Sequence, residues 1–346
     1  MNKSFLLVGK CRTKKDLAGA GGVIRLFEVL IEDLTQRNIE FSILDLNRRN
    51  YGILGVLVIY WKLIGQIGKH DVVFFNGTAE EYRFYAWYVV LFSKIFRKKT
   101  ILRKFAGNFD LFYEKIDPIS RRLITYALSN ADLNYFETKY LVKYFQSFGK
   151  RVYQFPNVRM TDYSEPVVQK GFEKKFVFLS HIKTDKGVNE ILEAGAKLPE
   201  DYIIHLYGPV AKDYKCPEGL KDRFEKTYKG PVDKRNVLEV LNNYDVVLLP
   251  TYHKGEGHPG VIIEAFSMGK PVIATPLRGI KEIVQDGVSG FLVPAKDPDA
   301  LYECILKVSK DNYASLCSNA LSNFTQFDND KVMDRVLKEI KNCCSC

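Results

Sequence analysis

The segment LPTYHKGEGHPGVIIEAFSMGKPVIAT, Leu249 to Thr275, sets two carboxylates, Glu256 and Glu264, on either side of a turn bearing glycine and proline. DVVLLP reads as a strand that ends just before it, and a helix is expected to start near Pro259, whose missing N–H is harmless in a first turn. Amides at such a start, those of Gly260, Val261 and Ile262, have no intrahelical acceptor and carry the positive end of the helix dipole. They favour phosphate or sugar oxygens. Carboxylates at two depths of one pocket accept hydrogen bonds from hydroxyl groups. Taken singly, Glu264 reads as a solvated helix-face carboxylate and Glu256 as a loop charge.

Two other places repeat this logic. In FLSHIKTDKGVNEILEA, Phe178 to Ala194, a strand, loop and helix follow one another, with Lys186 and Gly187 at the helix start and His181 at the strand end. In AGAGGV, Gly19, Gly21 and Gly22 allow backbone to approach an oxyanion closely. That run lacks the third glycine of a dinucleotide fingerprint, which counts against a nicotinamide-dependent dehydrogenase.

The elements that must hold these groups alternate regularly. SFLLVG, FSILDL, DVVFF, KTILRKF and DLNYF are short apolar runs, with helical stretches between them. The first such stretch carries Val23, Leu26, Phe27, Leu30, Ile31 and Leu34 at helical spacing. Residues 154–175 lack a period and carry two prolines, as a linker does. The alternation then restarts with KFVFLS, YIIHLYG, DVVLLP, KPVIAT and GFLVPA. An α/β protein of two Rossmann-like domains facing each other across a cleft is expected, with ligands beyond the carboxyl ends of the strands. The domains are placed at 1–158 and 172–325, with 326–346 a terminal helix that packs back on the first. A chain of 346 residues suits two cores.

The spacing of Glu256 and Glu264 within EGHPGVIIEAFSMGKPVIAT resembles the donor-site motif of the retaining family 4 glycosyltransferases. GIKEIVQDGVSGFLV, Gly279 to Val293, is similar to that family's usual continuation. The likeness is dense over 176–301 and thins toward the N-terminus. It implies the GT-B fold, a nucleotide-sugar donor, and no metal or other cofactor. By position it implies that Glu264 holds the ribose hydroxyls. Glu256 would hold a hydroxyl of the transferred sugar, with backbone near Gly257, His258, Pro259, Gly260 and Val261 assisting. Lys186 matches a lysine that contacts the donor diphosphate, and His181 stands where the family normally has an arginine. Gly21 and Gly22 correspond to a double glycine that touches the phosphates from the other domain. Lys186 and Glu256 are thus the groups expected at the chemical step. Lys186, the helix start and glycine amides would stabilise the charge that develops on the leaving diphosphate. Relatives often have a histidine beside a glycine in the place of Phe105, Ala106 and Gly107. Arg103, Lys104, Gly107 and Asn108 there are candidates for acceptor contact, against a reading as ordinary loop polarity.

The bulk properties narrow the partners. A formal charge of +10 and a pI near 9.0 favour acidic ones. From Arg83 to Lys104 there are seven basic residues, six aromatics and no acids. That composition suits an amphipathic helix on an anionic membrane surface, and no recognised nucleic-acid motif accompanies it. The Tyr51 to Gly68 segment is apolar over nearly a bilayer's thickness, but Lys62 and three glycines interrupt it, so a buried or partly membrane-facing helix is expected. Seven cysteines show no paired metal spacing, and the closing CCSC reads as a frayed, reduced tail. The opening apolar run is too short for a signal peptide. A cytoplasmic protein, peripheral on the inner face of a membrane, that takes a saccharide or lipid-linked acceptor is the resulting expectation. A sugar-nucleotide epimerase of the same fold and a non-catalytic nucleotide-sugar-binding module are the competing readings.

Overall fold

A computed structural model describes residues 3–12, 22–51, 54–159 and 171–344. The chain divides into two compact units, Met1–Met160 with Asn329–Cys346, and Thr161–Asp328. Each is built on one parallel sheet.

The first unit has six strands: β1 (Phe5–Gly9), β2 (Phe41–Asp45), β3 (Val72–Gly77), β4 (Lys99–Lys104), β5 (Leu133–Phe136) and β6 (Val152–Gln154). They lie in the order β2-β1-β3-β4-β5-β6. Helices cover both faces, so β1, β3 and β5 are buried throughout and read as apolar runs rather than alternating ones. Residues Leu6, Val8, Phe75 and Leu102 face one core; Phe5, Leu7, Phe74 and Ile101 face the other.

The second core is closed by the helix Asn329–Cys344, which contributes Val332, Met333, Val336, Ile340 and Cys343. Tyr135 Oη donates to Glu339 Oε2 at 2.7 Å, and Arg37 pairs with Asp334 at 2.5 Å. The expectation of a frayed tail therefore fails at Cys343, which is buried in this core.

The basic segment from Arg83 to Lys104 is not one helix. A helix covers Trp87–Ile95, and the final six residues form β4. The exposed apolar face lies instead on the helix Gly55–Ile67. Its Ile59, Leu63 and Ile67 are buried at four-residue spacing, while Leu57 and Trp61 are 64% and 80% exposed. Among the described residues no helix is long and apolar enough to cross a membrane.

The second unit has five strands: β7 (Lys175–Leu179), β8 (Ile203–Tyr207), β9 (Val246–Leu249), β10 (Val272–Ala274) and β11 (Gly290–Leu292). Their order is β11-β10-β9-β7-β8. β7 therefore sits between β8 and β9, and the chain reverses its direction of travel across the sheet there. Loops leaving the carboxyl ends of strands flanking such a point diverge and leave a crevice.

Candidate donor site

The loops after β7 and β9 meet at this crevice. After β7 the chain runs through a short turn, Thr184–Lys186, into the helix Val188–Lys197. Gly187 joins the two at φ +79°, and an added Cβ there would collide with the carbonyl oxygen of Pro250. Only glycine lets the first loop lie this close to the second.

That closeness builds a polar network. The Lys186 ammonium forms an ion pair with Glu256 Oε1, and both side chains are largely buried. Thr251 Oγ1 lies 3.2 Å from the same carboxylate oxygen and 3.1 Å from the Asp185 carbonyl. Its single proton serves two acceptors. The Tyr252 amide donates to the Asp185 carbonyl at 2.8 Å, and His253 Nδ1 pairs with Asp185 Oδ2 at 2.7 Å. Thr275, at the end of β10, donates to the Thr251 carbonyl. The carboxyl ends of β7, β9 and β10 are thus laced together around Lys186 and Glu256.

The helix Gly260–Ser267 follows, with Pro259 as its N-cap. Only part of the expected amide cradle is open. Ile262 N–H donates to the Pro259 carbonyl at 3.1 Å, a tight first turn that engages it. Gly260 and Val261 come earlier and have no intrahelical acceptor. Glu264 stands four residues after Gly260, on the same helix face, with its side chain partly exposed.

Other expected residues fall as follows. Gly257 is buried in the loop. His258 is buried, 3.5 Å from Glu282 Oε2 and edge-on to Phe327. His181 is exposed at the end of β7, its neighbours Ser180 and Ile182 bonded to the β8 side through the carbonyls of Tyr207 and Pro209. Gly208 at φ +139° permits that approach, since a side chain would strike the Ser180 carbonyl.

In the first unit, Gly21 lies outside the described residues, and Gly22 is the exposed first residue of the helix Gly22–Gln36. Arg103 and Lys104 are not loop residues but the end of β4, 2% and 1% exposed. Burial lowers the Lys104 pKa to about 8, against the pull of Glu137, Glu81 and Asp110. Lys104 donates to the Phe105 carbonyl and lies over the Phe109 ring. Gly107 is buried, and Asn108 precedes the helix Phe109–Lys115. Ala106 holds φ +73° while its amide donates to Glu137 Oε2 at 2.8 Å.

Thr251, Asp185 and His253 escaped the sequence reading, as did Gly208. Asp185 and Thr251 are 66 positions apart, so spacing along the chain carries no trace of their contact.

Two Rossmann-like α/β units, the second with a polar network at its strand-order reversal, define the GT-B class of fold. Residues 173–311 match the family model of glycosyl transferases group 1. It is similar to D-inositol 3-phosphate glycosyltransferase of Mycobacterium marinum, 31% identical over 158 residues, covering 43% of this chain and 34% of that protein. The chain thus spans about a third of the length of the curated relatives it matches. In fold it is similar to Anabaena Alr3699/HepE in complex with UDP, at TM-score 0.73 and 17% identity, over 98% of this chain and 100% of the other. The sucrose-phosphate synthase of Thermosynechococcus elongatus gives TM-score 0.68 at 14% identity, over 99% of this chain and 100% of that one.

Proposed function

We propose that this protein is a glycosyltransferase that moves a sugar from a nucleotide-sugar donor to a saccharide or lipid-linked acceptor with retention of anomeric configuration, without a metal. The observation that carries the reading is the Lys186–Glu256 ion pair at the carboxyl ends of β7 and β9, inside the family-matched segment. A donor diphosphate would draw the Lys186 ammonium away from Glu256. Glu256 would then be freed to accept a hydroxyl of the transferred sugar. Binding and alignment become one exchange of partners. As the anomeric bond breaks, charge grows on the diphosphate, and Lys186 with the amides of Gly260 and Val261 stabilises it in place. Glu264 holds the ribose, and His181 adds a donor to the diphosphate.

The acceptor side belongs to the first unit, around Arg103, Lys104, Gly107 and Asn108. The exposed Leu57 and Trp61, together with the chain's positive charge, support a reading in which the protein works at the inner, anionic face of a membrane. Such a surface would supply cell-surface glycolipid or polysaccharide precursors. Incubating the protein with labelled UDP-, GDP-, ADP- and dTDP-sugars and membrane lipid extract, in chelator, tests the whole reading. A glycosylated lipid with the donor's anomeric configuration supports it. An inverted product, a requirement for metal, or epimerised donor without transfer would each overturn the corresponding part.

A further inference from the structure

Arg103 carries a charge that the fold leaves unanswered. Its guanidinium is stacked 3.4 Å from the centroid of the Phe155 ring and 4.9 Å from that of Phe105. It makes no hydrogen bond or ion pair with any described residue, and its Nε is buried without a partner. Ring faces attract a cation but accept none of its hydrogen bonds, so the stacking does not replace the water lost by a guanidinium whose residue is only 2% exposed. The carboxylate whose field acts on it most, Glu137, has one oxygen engaged by the Ala106 amide.

The group beside it is also incomplete. Asn76 pairs in register with Arg103 across β3 and β4, and Arg103 pairs with Tyr135 on β5. Residues in register on parallel strands share a face, so the three form one row at the carboxyl end of the sheet. Tyr135 has its hydroxyl on Glu339. Asn76 Nδ2 donates to the Phe74 carbonyl at 3.0 Å, but its Oδ1 is buried and receives nothing. One group in this row lacks an anion, and its neighbour lacks a hydrogen-bond donor. Buried polar groups left so are exceptions in folded proteins, and two adjacent ones mark a place for something else.

We propose that Arg103 and Asn76 form a subsite for a hydroxylated anion, an acidic sugar or a sugar phosphate. Its oxyanion meets the guanidinium, and its adjacent hydroxyl donates to Asn76 Oδ1. In naming this ligand as the acceptor, the proposal rests on the glycosyltransferase reading; the binding itself does not.

The test is an NMR titration of the full chain with ¹⁵N-labelled arginine. It is done in a Lys186→Ala background so that anions do not report on the donor site. The Arg103 Nε–H resonance is assigned by its absence in Arg103→Lys. Glucose 6-phosphate, glucuronate and neutral glucose are the probes, at matched ionic strength. The expected result is a saturable shift of that resonance with one or both charged probes and none with glucose. The probe that acts distinguishes a phosphoryl from a carboxylate ligand. Asn76→Leu should weaken that titration at least fivefold, which a purely structural Arg103 would not show. An unmoved resonance with both charged probes, or an equal shift with glucose, overturns the subsite. Nucleotide binding is measured separately on Arg103→Lys with Lys186 intact. Its loss there would count against the donor reading and leave the anion result standing.

Discussion

At the carboxyl ends of β7 and β9, polar side chains come in pairs: Lys186 with Glu256 as an ion pair, and Asp185 with His253 through a hydrogen bond. At the carboxyl end of β4, Arg103 and Lys104 are more deeply buried, yet lie against phenylalanine rings and have no ion pair with any described residue. The two units share a fold but have prepared their ends differently. A paired site is stable when empty, and its ligand must trade places with a resident partner. An unpaired buried charge keeps its full pull for whatever arrives, at a standing cost to the unit that holds it.

Substitutions can sharpen or break this contrast. The largest effect is expected from Gly187→Ala, which forces a side chain into left-handed backbone and against Pro250. It should lower stability by about 2–4 kcal/mol in urea unfolding and abolish donor binding. Lys186→Ala should reduce kcat by about 10²–10³-fold in a transfer assay, as loss of one charge-stabilising donor does. Its unfolding midpoint should fall as well, because Glu256 is left buried and unpaired.

Lys104→Met tests the other unit, with the opposite sign. Burial holds the native Lys104 pKa at about 8, below the value of an unfolded lysine. The unfolded chain therefore binds more protons between the two values, and the stability lost to this group is recovered as pH rises through that window. The Met variant should unfold later than wild type at pH 7, by about 1–2 kcal/mol, with the gap closing toward pH 10. A variant weaker at pH 7 would show that Lys104 is compensated after all. The smallest change in stability, within about 0.5 kcal/mol, is expected for Leu57→Glu with Trp61→Glu on the exposed helix face. Sedimentation with anionic vesicles should nonetheless lose most of the bound protein. Undiminished binding would remove that face from the proposal.

Much of the frame was legible in the residues. Apolar runs with helical stretches between them marked ten strands, and the loop-to-helix junctions at Gly187 and Pro259 were visible from glycine and proline. β6, three residues with mixed exposure, left no apolar signature. The network around Lys186 was half legible: Glu256 and Lys186 stand in a dense motif, whereas Thr251, Asp185 and His253 gain meaning only when two strands meet. Arg103 and Lys104 misled because basic residues after an apolar run look like a loop, and here the strand carries them into the interior. The amide of Ile262 misled for a smaller reason, a first turn tighter than an α-helical one.

The central claim is that the second unit holds a nucleotide-sugar donor around Lys186, Glu256 and Glu264. Calorimetric titration of UDP, GDP, ADP and dTDP into wild type and Glu264→Ala, in chelator, tests it most directly. The account predicts that one nucleotide binds the wild type tightly and that Glu264→Ala weakens it by about 1–3 kcal/mol with the fold intact. Equal affinity in the variant, or no binding of any nucleotide to the wild type, would contradict it.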